Sequence, residues 1–190
     1  MAELRKARDL ALLDAIDAMD REPFEGKVWR AVREGRDPTL GSPSQSRWCN
    51  GLFDILYTSL ERDGAIAEIN ALLSSQPVFP SKMRWDCYEL SIRATKTLRI
   101  ADLPMLQKLG VDVATFQERR YDQTQAIADA AFFLGFDGLI APSARWACSN
   151  LMLFTSRLQP SDIELAADAG VPIDWTEWRR ANRYKPPSDA

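Results

Sequence analysis

Between Asp54 and Leu73 the chain passes from a strand to a helix, and this junction constrains the fold more than any other stretch. D-I-L-Y-T (54–58) is a strand candidate. Thr58 and Glu61 then form T-x-x-E, the spacing of a capping box at a helix start. The helix continues through A-I-A-E-I-N-A-L-L, with Ile66, Ile69 and Leu73 on one apolar face. Gly64 costs such a helix roughly 1 kcal/mol relative to alanine, so the helix must lean on packing. Around this junction stand an arginine before the strand (Arg47), a tyrosine in it (Tyr57) and a glutamate on the helix (Glu68).

The remaining elements fall on either side. Residues 3–20 read as an amphipathic helix through Leu12, Leu13, Ile16 and Met19, closed by Pro23 and Gly26. K-V-W-R-A-V (27–32) reads as a strand, followed by a loop rich in Gly and Pro that ends at Arg47 and is expected to be a mobile cover over a site. Alternation at Tyr88, Leu90 and Ile92 marks a half-buried strand, with T-L-R-I (97–100) as its pairing partner. A helix is expected over 122–134, with Asp122 and Gln125 in capping positions and Gly135 after its end. L-I-A after Gly138 and N-L-M-L-F (150–154) read as strands. Helices are expected over 161–169 and 174–183, before a polar tail. The fold class is therefore α+β, one domain with helical additions at both ends.

Composition narrows the chemistry. At 190 residues the chain suits one domain that buries roughly two-thirds of its unfolded surface. With 24 basic and 27 acidic residues the net charge is −3, which argues against bulk affinity for nucleic acid or anionic membranes. The three cysteines, 49, 87 and 148, form no CxxC pair and read as reduced thiols. With no signal-peptide pattern at the start and no apolar run near ~20 residues, a soluble, cytoplasmic protein is expected. There is no histidine. Ser-His and Cys-His dyads, histidine metal sites and a histidine base are thereby excluded. No metal-ligand cluster and no Gly-rich phosphate loop occurs.

Each candidate residue has an ordinary reading beside the functional one. Arg47 offers a planar fork of donors to phosphate oxygens, or is a surface arginine in an ion pair. Arg30, near the end of the first strand, converges with it in a pyrophosphate clamp, or does not. Tyr57 presents a face to a cationic ring, or is a core tyrosine with a bonded hydroxyl. Glu68 is a partly shielded carboxylate, or simply edges an apolar stripe. Ser143, in A-P-S-A-R, sits where a strand ends; it is a hydrogen-bonding site residue or a local cap. Among the six tryptophans, Trp48 and Trp146 neighbour candidate residues and are placed to wall a pocket.

The ordered set V-W-R (28–30), R-W-x-N-G (47–51), L-Y-T-S-x-E-x-x-x-A-I-A-E (56–68), G-F-D-G-L-I-A-P-S-A-R and N-L-M-L-F (150–154) resembles the RES-domain proteins. These are toxins of bacterial toxin–antitoxin pairs whose antitoxin carries an Xre-type helix-turn-helix. The resemblance implies a fold similar to ADP-ribosyltransferases, a split antiparallel sheet around an NAD cleft. It divides the chain into an N-terminal helical extension (1–25), a RES-like catalytic domain (26–158) and a C-terminal helical segment and tail (159–190). It makes Arg47, Glu68 and Ser143 the namesake triad, with Arg30 and Tyr57 as the accompanying pocket residues. NAD+ is then a substrate, cleaved at the nicotinamide–ribosyl bond by water or phosphate, with no metal required. On that reading Glu68 meets the ribose and its developing cation, Arg30 and Arg47 hold the pyrophosphate, Tyr57 stacks on nicotinamide, and Ser143 orients Glu68 or the ribose. The implied partners are an antitoxin and NAD+, with neither direct nucleic-acid binding nor a membrane. The alternatives are a protein ADP-ribosyltransferase, with a protein as acceptor, and a non-enzymatic interaction module using the terminal helices.

Overall fold

Two long strands organise the molecule, a computed structural model that describes residues 7–166 and 169–182. β1 (Arg21–Arg33) and β5 (Trp85–Arg99) run antiparallel, paired from Arg21↔Leu98 to Arg33↔Trp85 with one register shift between Glu22 and Phe24. β1 also meets β4 (Ile55–Ser59), at Trp29↔Ser59. β4 pairs with β7 (Ser149–Phe154), β7 with β6 (Gly138–Pro142), and β6 returns to β5 at Thr97–Arg99. The pairing thus comes back to its start and the sheet closes on itself. Among the described strands only β5 and β6 pair in parallel. The class is α+β, as expected.

Side chains alternate across these strands, and each face has its own core. Leu139, Ala141, Met152 and Phe154 pack with Leu12 and Ile16 of α1 (Leu10–Asp17), Leu106 of α3 (Leu103–Lys108), and Ile127 and Ala131 of α4 (Asp122–Phe133). The residues between them, Ile140, Leu151 and Leu153, join Val28, Leu56, Leu90 and Ile92 in a second cluster. A third forms where α2 (Arg62–Ser74) and α5 (Trp175–Asn182) meet Cys87. Each fully buried Leu, Ile or Phe contributes about 1.5–3 kcal/mol, so both terminal helices are held by the same cores as the sheet. β8 (Ile163–Leu165) and β9 (Val171–Pro172) add to β5.

Several expectations are corrected. The first helix is shorter, capped by the Asp9 carboxylate; residues 3–6 lie outside the described region. Pro23 and Gly26 do not close it but lie within β1, Pro23 at a register shift where a missing N–H is tolerated. T-L-R-I does not pair with the strand at 88–93; both belong to β5. The capping box does not form, because Thr58 Oγ1 donates to Leu151 O (2.8 Å) and the N-cap is Glu61. Tyr121, not Asp122 or Gln125, caps α4. The helix expected at 161–169 is a 3-10 turn followed by β8, with 167 and 168 outside the described residues. α3 carries Pro104 in its first turn and was not anticipated. The tail, 183–190, lies outside the described residues.

Candidate active site

The 13-residue helix α2 reaches the sheet so closely because Gly64 has no side chain. A Cβ there would stand under 3.0 Å from both Ser59 Oγ and Cys148 Sγ. Gly64→Ala is therefore expected to lower Tm by several degrees. Helix propensity alone, worth ~1 kcal/mol, predicts a rise, but overpacking costs about 1–3 kcal/mol. A thermal melt decides between the two signs. The first turn of α2 is also braced from outside. Trp178 Nε1 of α5 donates to Asp63 (2.8 Å), and Trp146 Nε1 donates to Glu61 (3.2 Å).

One turn beyond Gly64, Glu68 meets the β6–β7 turn. Its Oε1 accepts from Ser143 Oγ (2.7 Å) and from Asn150 Nδ2 (2.8 Å). Its Oε2 has no hydrogen-bond partner among the described residues. Ser143 Oγ in turn accepts from the N–H groups of Arg145 (3.0 Å) and Trp146 (3.2 Å). A hydroxyl with both lone pairs occupied has only its proton left, and that proton goes to Glu68. Ser143 is thus both a local cap and the support of the carboxylate.

Glu68 opens onto a cleft of about 620 Å³ lined by Arg30, Tyr57, Asn150, Trp29, Trp85 and Ile69, among others. The wall mixes aromatic and aliphatic side chains with several charged and polar ones, a combination that suits a small organic ligand with polar groups. The Gly/Pro loop forms one side through Arg36, Asp37, Leu40 and Gly41. Arg30 lies on the same face of β1 as Val28 and is mostly buried. Its Nη1 is enclosed with no partner, and burial pushes its pKa down to about 10 although Asp37 pulls the other way. A largely buried cation with an unpaired donor is a site for an anionic group.

Arg47 is placed differently. It occupies the turn of a hairpin, β2 (Gln45–Ser46) and β3 (Cys49–Asn50), outside the lining of this cleft. Its guanidinium lies over the rings of Phe116 (4.6 Å) and Tyr121 (5.0 Å), and Nη2 donates to Glu118 O (3.2 Å). Nη1 is buried without a partner. Burial lowers the Arg47 pKa; Tyr121 and Glu68 oppose that and Arg145 adds to it. The hairpin is pinned by Gln125 of α4, whose Nε2 donates to Ser46 O (2.8 Å) and Cys49 O (3.0 Å). It is pinned again by Tyr57, whose hydroxyl accepts from Trp48 N (2.6 Å) and Ser46 Oγ (3.2 Å). Tyr57 is a core tyrosine with a bonded hydroxyl that also reaches the cleft. Its hydroxyl is committed, with its pKa raised by burial, while its ring lines the cleft.

Trp48 does not wall the pocket, being 1% exposed within the core. Trp146 lies outside the lining too, 5.8 Å from the Trp178 ring. Sequence reasoning missed Asn150. The signal was a polar residue inside an otherwise apolar strand, S-N-L-M-L-F. Nothing local foretold Trp29, Trp85 or Asp37 at the cleft.

The sheet is mostly antiparallel, and Arg30 and Glu68, the latter held by Ser143, stand at one cleft. The family model of the RES domain matches residues 27–176, and the chain belongs to that family. Among solved structures it is similar to a chain of the M. tuberculosis MbcT–MbcA toxin–antitoxin complex, with a TM-score of 0.80. That match has 18% identity and covers 94% of this chain and 100% of the other. A search of curated proteins finds no match. No helix among the described residues is long and apolar enough to cross a membrane.

Proposed function

We propose that the chain is the toxin of a toxin–antitoxin pair and that it consumes NAD+ by cleaving the nicotinamide–ribosyl bond. The observation that carries this reading is the Glu68 carboxylate. One of its oxygens is held by Ser143 and Asn150, and the other has no partner among the described residues beside a cleft that also holds Arg30, whose buried Nη1 has no hydrogen-bond partner. Family membership and the likeness to a chain of a toxin–antitoxin complex support it.

The bond from C1′ to the nicotinamide nitrogen breaks with its electron pair going to the ring, which leaves neutral. The ribose is left with oxocarbenium character, and an ionised carboxylate fixed beside it stabilises that charge. Arg30 would take a pyrophosphate oxygen, the Tyr57 and tryptophan rings would pack on nicotinamide, and Ser143 would keep Glu68 oriented. Arg47, carried over from the family resemblance as a phosphate ligand, has a free buried Nη1 for that task. Water or phosphate adds at C1′ and releases a proton to solvent. A cognate antitoxin with an Xre-type helix-turn-helix would restrain the reaction in the host by covering the cleft.

The test is nicotinamide release from NAD+ by the purified chain, with and without phosphate. Release that stops when the antitoxin is added is expected. No release in either buffer refutes the reading, and labelled ADP-ribose bound to one protein of a lysate would redirect it to protein ADP-ribosylation.

A further inference from the structure

Ser143 and Asn150 donate to the same oxygen of Glu68, but they differ in what each has left over. Ser143 has nothing: its proton and both lone pairs are used. Asn150 has an acceptor. The residue is 4% exposed, lines the cleft, and its Oδ1 is enclosed without a partner among the described residues. Its backbone is held between Ser59 of β4 and Ala141 of β6, so the side chain leaves a rigid strand. A buried carbonyl oxygen left empty is costly unless a donor fills it.

We propose that Asn150 serves the cleft twice. Its Nδ2 positions Glu68 by fixing Oε1, so that Oε2 is the oxygen presented to the ligand. Its Oδ1 accepts a hydrogen bond from a hydroxyl of that ligand. A neutral carbonyl selects a donor and offers nothing to an anion. The group it recognises is therefore a sugar hydroxyl next to the bond that Glu68 attends, not a phosphate. This inference rests on the reading of Glu68 as the carboxylate of NAD+ cleavage.

Two variants of the full chain separate the roles. Asn150→Ala removes donor and acceptor. kcat is expected to fall about 10- to 100-fold, the scale of one hydrogen bond to a charged group, and the Kd for NAD+ by calorimetry to rise several-fold. Asn150→Asp keeps the shape and the acceptor but loses the donor at neutral pH. Its kcat is expected to fall at least as far, with Kd near the parent's. On acidification the introduced carboxyl regains a proton that it can donate to Glu68, so the ratio of variant to parent activity rises. Besides its hydrogen bonds to Ser143 and Asn150, Glu68 interacts with the titratable groups of Arg47, Tyr57 and Cys148. Arg47 stays charged through this range, and burial keeps Tyr57 and Cys148 neutral, so the ratio reports the new carboxyl.

Parental kcat and Kd in both folded variants, or a ratio flat with pH, would overturn the proposal. If the parent releases no nicotinamide, the functional reading fails by itself. The crystal structure of Asn150→Ala, or of Asn150→Asp if the alanine variant does not fold, then decides the positioning role. A Glu68 carboxylate that has swung away upholds it, and an unmoved one refutes it. Absence of NAD+ binding to the parent refutes the hydroxyl contact.

Discussion

Glu68→Gln is expected to reduce NAD+ cleavage by about 10²–10³-fold with little change in Tm. Glutamine preserves size, and its carbonyl oxygen can still accept from Ser143 Oγ and Asn150 Nδ2, so the packing of α2 on the β6–β7 turn survives. What changes is the other arm, where a charged acceptor facing the cleft becomes a neutral donor. Loss of one preorganised electrostatic contact in a water-poor site typically costs that much in kcat. Initial rates of nicotinamide release, alongside a thermal melt, give both numbers. A folded variant with parental kcat would remove Glu68 from the chemistry and return the interaction-module reading to the front.

Arg30→Met is expected to raise KM for NAD+ by roughly 10- to 100-fold while Tm stays level or rises. The two effects have one cause. In the folded chain Arg30 holds its proton less tightly than in the unfolded chain, with its pKa brought down to about 10 by burial. The sign follows from linkage. Keeping the charge costs stability at every pH below about 10, and the cost fades as pH rises through 10 towards the ordinary arginine value. At neutral pH the penalty is present in full, on the order of a few kcal/mol at most, because Asp37 is too exposed to offset it strongly. Methionine keeps the stem's packing without the charge. On the proposed function a bound pyrophosphate would supply the missing counter-charge, and the folded parent would then trade stability for affinity. A marked fall in Tm, or an unchanged KM, would refute that account.

Much of the cleft was legible because its residues lie on elements with strong local signals. Glu68 was readable as helical, Tyr57 as part of a strand, and Ser143 as lying beyond a strand stopped by Pro142. Periodicity places such residues on their elements whatever the distant chain does. The capping box failed for the opposite reason. Thr58 satisfies T-x-x-E on paper, but the neighbouring strand β7 offers its hydroxyl a buried carbonyl, and the buried bond wins. Gln125 likewise looked like a cap and instead ties down the hairpin of Arg47.

By itself the sequence determined the kind of chemistry open to the protein and the elements that would carry it. With no histidine it must use carboxylates, hydroxyls, thiols, arginines or lysines, and its spacing put a glutamate on a helix directly after a strand. Only the tertiary structure decided that Ser143 gives its one proton to Glu68, that Asn150 shares the same oxygen, and that Arg30 opens on the cleft while Arg47 lies outside its lining, over the Phe116 and Tyr121 rings. The physical reason is range. Periodicity and turn chemistry act over a few residues, whereas the Glu68 contacts span 75 and 82 positions and exist only once the sheet has closed.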